Sequence, residues 1–452
     1  MARIKIGNIK GKDGNGIAST VITYAASENG ITPPSDWQSE IPEVAQGSYL
    51  WTRTVITYTD DTTSTSYTKS YQGQNSVSVV ELYGVRIDTT DSNPETCCEY
   101  TDNAVGMLPA SGNNGAFNGG DWLTRYPFNQ IKPCLFKNGA VVGYLNPNNF
   151  AQFEDGSTAD ISSGSAGDVM IEIPKFYYKI ARNGKYLDVK ISNALMAGFT
   201  DYAFSYKGEV KDKFYIGAYL GYKDSGGKLR SLTGKTVTSS ITIGAARTAA
   251  QANGTGYEQL SFNKLTALQV LYIIMFKNLN SQAALGRGYT NNSTAYRDTG
   301  ATDTKGMTYG TNAGATADDT VKFLGIEDFY GNLSQWVDGY ITGGGGIKIA
   351  DGNFNDTGNG YENFPNISIS ITGSYFKEVV GTNELAFTPK LYGASETTYF
   401  CDRTFMMTGS VFLPYFGGDR SSGASAGAFC FLCSFSASYA YVIIGARLCF
   451  CG

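Results

Sequence analysis

Apolar and polar side chains alternate with period two in S-T-V-I-T-Y-A-A-S, S-Y-L-W-T-R-T-V-I-T-Y-T and S-T-S-Y-T-K-S-Y-Q, all within residues 1–77. In the second run Leu50, Thr52, Thr54 and Ile56 share one face, and Tyr49, Trp51, Arg53, Val55 and Thr57 share the other. Such alternation, rich in Thr, Val, Ile and Tyr, predicts antiparallel strands with one face packed, here a small β-sandwich module. Residues 78–167 carry shorter apolar runs, S-V-S-V-V-E-L-Y-G-V-R-I and C-L-F-K-N-G-A-V-V-G-Y-L, among Asn, Gly and Asp, and read as a linking β subdomain. From Asp168 the pattern strengthens. V-M-I-E-I-P-K-F-Y-Y-K-I predicts a long strand, and Asn183-Gly184 before Y-L-D-V-K-I-S predicts a hairpin with a type I′ turn.

The period changes from 2 to 3.6 in two places only. Thr242 to Gly254 is Ala-rich with Gly254 at a C′ position. Leu265, Leu268, Leu271, Tyr272 and Met275 form an i, i+3, i+4, i+7 stripe behind an N-cap at Ser261 or Asn263. Two helices inside a loop-rich β unit make residues 168–452 an α+β domain. The chain is therefore expected to be multidomain, all-β at its amino-terminal end and α+β at its carboxy-terminal end. The longest apolar stretch, Leu265 to Phe276, is too short for ~30 Å of hydrocarbon, and the first residues lack a signal-peptide core. Neither membrane insertion nor secretion is expected.

Composition narrows the function. The 452 residues carry 35 Lys+Arg against 40 Asp+Glu, a net charge of -5, which argues against a nucleic-acid partner. Histidine is absent, which removes His-dependent triads and the commonest metal ligand. Glycine at 55 and Tyr and Phe at 31 and 25 suit a turn-rich β protein with an aromatic surface. Cys430 and Cys433 with Cys449 and Cys451 have zinc-like spacing, but in a strand Cys430 and Cys433 point to opposite faces. They are expected to be free thiols in the core, with no metal and no cofactor. The adjacent acids Glu327 and Asp328 lack the alternation of a calcium loop, and Gly343–Gly346 lacks the Lys-Ser/Thr of a phosphate loop and reads as a turn.

Three segments carry a resemblance. F-L-G-I-E-D-F-Y-G-N-L-S-Q-W-V-D-G, Phe323 to Gly339, resembles the G-I-x-D-x-x-G-N-V-W-E-W signature of C-type-lectin-fold domains of the formylglycine-generating-enzyme type. F-G-G-D-R-S-S-G-A-S-A-G-A-F, Phe416 to Phe429, with S-A-S-Y-A-Y-V-I-I-G-A-R, Ser436 to Arg447, is similar to the variable region of proteins diversified by diversity-generating retroelements. There a fixed frame G-G-x-W-x-x-G-x-x-A-G-x-F, then G-A-R, surrounds exchanged positions; Arg420 stands here at the Trp position. Asp168 to Ile180, with L-N-P-N-N before it, resembles phage tail proteins. G-K-D-G-N-G and S-Y-L-W-T-R-T-V-I-T-Y-T-D resemble tail-fibre modules.

The resemblance implies a C-type-lectin fold over residues 168–452, a variable region about 416–447, and a tail-attachment module over residues 1–77. It implies a receptor-binding protein of a phage tail tip or fibre, assembled in the host cytoplasm and acting outside it as part of the virion. Its partners would be a host surface glycan or protein and other tail proteins, and G-K-D-G, like the end of a collagen-type stretch, points to a homotrimer. Asp419, Arg420, Ser421, Ser422, Ser425, Leu432, Ser434, Phe435, Tyr439 and Tyr441 sit at or near its exposed, exchangeable positions and are the expected ligand contacts. Gly417, Gly418, Gly423, Gly427 and Phe429 would be frame. The alternative is a tail-borne enzyme, a glycan hydrolase or a formylglycine-generating-type oxidase; no reactive Cys pair or carboxylate pair stands out, and no catalytic residue is assigned.

Overall fold

Every residue of α2 (Phe262–Phe276) is buried. The sequence predicts a helix with one apolar stripe; the structure surrounds it on all sides, as a helix apolar all round requires. Three of its polar side chains find partners inside: Lys264 Nζ donates to Ser205 O at 2.8 Å, Asn263 Nδ2 to Tyr202 O and Ser205 O at 3.1 Å, and Gln269 Nε2 to Ala428 O at 2.9 Å, whereas the hydroxyls of Thr266 and Tyr272 are buried without one. Ser261 is the N-cap residue by position but gives no side-chain cap bond. The other predicted helix, α1 (Ile243–Gln251), is capped by Thr242, whose Oγ1 accepts from Ala245 N at 3.2 Å.

The computed structural model describes residues 16–72, 80–112, 117–291, 294–310, 320–343, 345–367, 369 and 373–452. Gly11–Asn15 of the G-K-D-G-N-G run, Ser76–Val79 of the S-V-S-V-V run, and Gly344 lie outside them. The chain divides into residues 1–79 and 80–452.

In the first unit Ile17–Ser27, Tyr49–Tyr58 and Thr63–Tyr71 form one three-stranded antiparallel sheet, in register Ala25↔Trp51↔Lys69. The expected sandwich is corrected to this single sheet among the described residues. Thr63–Tyr71 is exposed at every position, and its Thr/Ser-rich sequence offers no apolar face to a second sheet. Trp51 is buried and donates its indole N–H to Asn29 O at 3.0 Å.

The second unit absorbs the linking subdomain expected over 78–167. Leu82–Asp88 pairs with Tyr186–Ser192, and Lys132–Lys137 pairs with Asp168–Pro174, so the segment has no sheet of its own. The long strand predicted from Val169 to Ile180 is two strands in different sheets, broken at Pro174, which lacks the N–H to continue a ladder. The hairpin that follows pairs Asn183 with Tyr186, so Gly184 and Lys185 make the turn, with Gly184 at φ +60°. This differs from the expected Asn-Gly centre because Asn183 stays in the ladder.

Two seven-stranded sheets dominate. One runs Tyr257–Gln259, Leu448–Phe450, Lys213–Gly217, Asp168–Pro174, Lys132–Lys137, Ala140–Asn146, Asn149–Phe153. The other runs Pro389–Tyr392, Ser374–Val379, Arg403–Met406, Phe431–Phe435, Leu413–Phe416, Ser334–Trp336, Ile444–Gly445. The unit is mostly β with α2 at its centre, and the carboxy-terminal residues serve both sheets in succession.

Between the two sheets sits Arg447, fully buried. Its Nε donates to Gln335 Oε1 at 2.7 Å, Nη1 to Gly217 O at 3.0 Å, and Nη2 to the carbonyls of Glu327 and Asp328 at 2.8 Å each. Glu327 and Asp328 are structural: the Glu327 carboxylate accepts from Gly300 N, Thr302 N and Thr302 Oγ1 at 2.6–2.7 Å. Gly343 and Gly346 close a hairpin.

Asp328 generates a testable pH dependence. Burial, then the charge of Glu327, pushes its carboxyl up to about 8. Raised in the fold against ~3.9 unfolded, the group gives stability that is whole below pH ~4 and lost as pH rises toward 8. Lys322, lowered by burial to about 8, acts only above that range. Asp328→Asn, at a backbone φ of +47° that Asn tolerates, is expected to flatten the fall in melting temperature between pH 5 and 8. Parallel curves for variant and parent in a thermal scan would contradict it.

Candidate functional site

The segment after strand Leu413–Phe416 is a loop whose backbone is fixed by side chains from elsewhere. Asp402, fully buried, accepts Phe429 N at 2.7 Å; Ser281 Oγ accepts Ala428 N at 3.0 Å; Gln282 Nε2 donates to Gly423 O and Ala426 O at 2.8 Å each. Two glycines are required by this packing. A Cβ on Gly418, at φ +76°, would lie 2.6 Å from Ala426 Cβ, and one on Gly427 would collide with the Asp402 carboxylate. Phe429 plugs the loop into the core, with ring centroids 5.2, 5.3 and 5.6 Å from Phe387, Phe400 and Tyr272. Burial holds the Asp402 carboxyl well above the usual carboxylate range.

The ten expected contacts separate into groups. Asp419, expected at an exposed position, is 5% exposed, and this is a correction. Its Oδ1 accepts Ser421 N at 2.8 Å and Ser421 Oγ at 2.6 Å, and its Oδ2 accepts Ser422 Oγ at 3.0 Å. A short carboxylate beside two serines turns inward to satisfy loop donors, so Asp419 belongs to the frame. Arg420 is half-buried, its guanidinium 4.1 Å over the Tyr296 ring, with Nε and Nη1 shielded and without an acceptor. A planar cation stacked on an aromatic thus occupies the position where the resemblance expects Trp. Ser421 is exposed and Ser422 and Ser425 are half-buried, Ser425 Oγ lying 3.4 Å from Tyr375 OH.

Strand Phe431–Phe435 alternates: Phe431 and Cys433 are buried, while Leu432 and Ser434 take the other face. Phe435, Tyr439 and Tyr441 belong to an aromatic ladder. Trp336, fully buried, lies 6.0 Å from Tyr415; Tyr415 stacks on Phe435 at 5.0 Å; Phe435 stacks on Tyr439 at 3.6 Å and 9°; Tyr439 leads to Tyr441 at 5.8 Å. The ladder ends at Tyr441, 46% exposed. Trp336 donates its N–H to Ile241 O at 2.8 Å, the internal partner a buried indole requires. Tyr439 and Tyr441 sit in the connection between Phe431–Phe435 and Ile444–Gly445, so their contact is a loop stack and not a cross-strand pair.

Beside the ladder opens a pocket of ≈290 Å³. Asp419, Ser421, Ser422, Ser425 and Leu432 of the expected set line it; Arg420, Ser434, Phe435, Tyr439 and Tyr441 do not. Its floor is Tyr415, hydrogen-bonded to the Ser434 side chain and shared with the ladder. Ser334 and Arg403 complete the wall and were not among the expected residues. Arg403 arrives through the parallel pairing Thr404↔Phe431, which no local pattern announces.

No family model matches the chain, and no curated protein matches it. Among solved structures, the chain is similar to the Major Tropism Determinant P3c variant at 12% identity and a TM-score of 0.25, over 88% of this chain and 80% of that one.

The loop anchor and the end of the ladder are separable by stability. Phe429→Ala is expected to cost ~3–5 kcal/mol, as for a buried aromatic, whereas Tyr441→Ala should stay within about 0.5 kcal/mol of the parent. Urea denaturation measures both; a Tyr441 variant as unstable as the Phe429 variant would make the ladder's end core rather than surface.

Proposed function

We propose that this chain is a receptor-binding protein of a bacteriophage tail tip, an adhesin whose carboxy-terminal domain, a C-type-lectin fold, engages a host cell-surface ligand without catalysis. The observation that carries the reading is the ladder from Trp336 to Tyr441 beside a loop whose backbone is held from outside itself. A rigid aromatic contact with adaptable serines around it is the arrangement that binding surfaces use, large in area and low in ordering cost. The frame residues Gly417, Gly418, Gly427, Phe429 and Arg447 match the diversified-region pattern, and Arg420, Ser421, Ser422, Ser425, Leu432, Ser434, Phe435, Tyr439 and Tyr441 are its exchangeable positions. The amino-terminal sheet attaches to other tail proteins, the assembly is a homotrimer, and the protein acts as part of the virion.

Against an oxidase stands the state of the thiols. Burial pushes Cys433 and Cys449 up to about 12, the reverse of an activated nucleophile. All eight cysteines are buried and unpaired. Under native conditions at pH 7.5 a disulfide reagent is therefore expected to label them slowly, and all eight rapidly in denaturant; fast labelling of one native thiol would favour the enzyme reading.

Adhesion itself is tested with the purified full chain on a panel of intact Gram-negative and Gram-positive cells. Some cells should be bound, and Tyr441→Ala should weaken binding tenfold or more, the scale of an aromatic hot spot. Undiminished binding by the variant would remove this surface from the reading.

A further inference from the structure

The loop pocket and the aromatic ladder share Tyr415. We propose that the pocket takes one acidic sugar ring, a pyranose bearing a carboxylate, with Arg403 as the anchor of the acid. The proposal rests on the receptor-binding reading and names its ligand class.

Size sets the first limit. A volume of ≈290 Å³ equals a sphere about 8 Å across, narrower than an α-helix at ~10–12 Å. An extended peptide would need a free strand edge, and Phe431–Phe435 is paired on both sides, by Arg403–Met406 and by Leu413–Phe416. A single ring remains.

Proton accounting sets the second. Ser421 Oγ and Ser422 Oγ both donate to the Asp419 carboxylate, and Ser422 Oγ also accepts from Asp419 N. With their protons committed, both hydroxyls have only acceptor lone pairs to offer. The complementary ligand presents neighbouring donors, as ring hydroxyls do. The Asp419 charge meanwhile is met by three loop donors, which lowers its repulsion toward an anion in the same pocket.

Charge sets the third. Arg403 is exposed at the pocket wall, and its side chain makes no hydrogen bond or ion pair among the described residues. A guanidinium presents a planar fork that matches a carboxylate bidentately. Tyr415, Leu432 and Ile443 give the apolar floor for the C–H face of a ring, and aromatic faces favour such contact because they carry the negative side of the quadrupole.

The test uses the full chain and three small probes, D-glucuronate, D-glucose and acetate, with binding followed by ligand-observed NMR. Glucuronate should bind in the millimolar range, glucose at least tenfold more weakly, and acetate not at all. Arg403→Gln, a change at an exposed side chain, should keep the parent's melting temperature and bring glucuronate down to the level of glucose. Equal binding of glucuronate and glucose by the parent, or an unchanged ratio in the variant, overturns the proposal. Two immobilised polymers separate the sources of the same chemistry: polygalacturonate stands for a uronate capsule, rough lipopolysaccharide for the acidic inner core. Retention of either supports the proposal, and retention of neither, with glucuronate silent, overturns it. Cell binding that depends on Tyr441 while all sugars fail would sink the ligand class and leave the adhesin; glucuronate binding with no cell bound would sink the adhesin alone.

Discussion

The buried guanidinium of Arg447 is the constraint on which the rest of the second unit depends. Removing a cation from water is expensive, and here no carboxylate oxygen bonds it; three backbone carbonyls and the Gln335 amide oxygen do. Burial lowers its pKa to about 10, still well above neutral, so the charge persists and the acceptors must stay in place. They come from three pieces of the fold. Gly217 ends a strand of one sheet, Gln335 lies in a strand of the other, and Glu327 and Asp328 lead into the turn before it. One planar group therefore sets how the two sheets meet. Because Ile444–Gly445 pairs in parallel with Ser334–Gln335 immediately before it, Arg447 also pins the far end of the connection that carries Tyr439 and Tyr441.

The loop between Gly417 and Phe429 is fixed on the same logic by different residues. Backbone groups of a loop need partners as much as those of a strand do. Between Gly423 and Phe429 those partners are the side chains of Ser281, Gln282 and Asp402, with Gln269 of α2 reaching Ala428 from below. These anchors come from outside the loop, so its course from Gly423 to Phe429 does not depend on the Ser421 hydroxyl. Asp419 is the exception. It meets loop donors from within, so its replacement would release Ser421 and Ser422 together, and diversity at this site would disturb the frame.

What the sequence revealed tracks the range of the interactions. Both predicted helices and the strands of the first unit are written in spacing over a few residues. The loss of a separate unit over 78–167 is not, because it follows from pairs such as Val85↔Val189, a hundred residues apart. The full burial of α2 was hidden for a related reason: Asn263, Lys264 and Gln269 look like solvent contacts until their acceptors, Ser205 and Ala428, are known. Asp419 was misread by the same blindness, since a carboxylate in a Gly/Ser run looks solvated when its partners are loop protons. Arg403 and Tyr415 escaped because the pocket is assembled across strands, and their neighbours in sequence, Asp402 and Pro414, have unrelated roles.

The binding surface proposed above must also be stiff, since each side chain ordered on binding subtracts from affinity. The connection holding Tyr439 and Tyr441 has no strand to stiffen it, yet Tyr439 N bonds Ser436 O at 3.1 Å, Ser240 N and Ile444 N both bond Tyr441 O at 3.1 and 3.0 Å, and the Tyr296 hydroxyl bonds Val442 O. The Phe435–Tyr439 stack adds side-chain order where the ladder leaves the core. Arg420 lies on that same Tyr296, so the residue that departs from the expected Trp still braces the rim through a stacked plane. Order here propagates outward from Trp336 through one edge contact, two face-to-face stacks and a tilted last contact. Substitution at the tip, Tyr441, changes what is presented without loosening what presents it, whereas substitution at Phe435 or Tyr439 would trade specificity against order. On the proposed reading, exchange at Tyr441 therefore costs the least order, and exchange at Phe435 or Tyr439 the most.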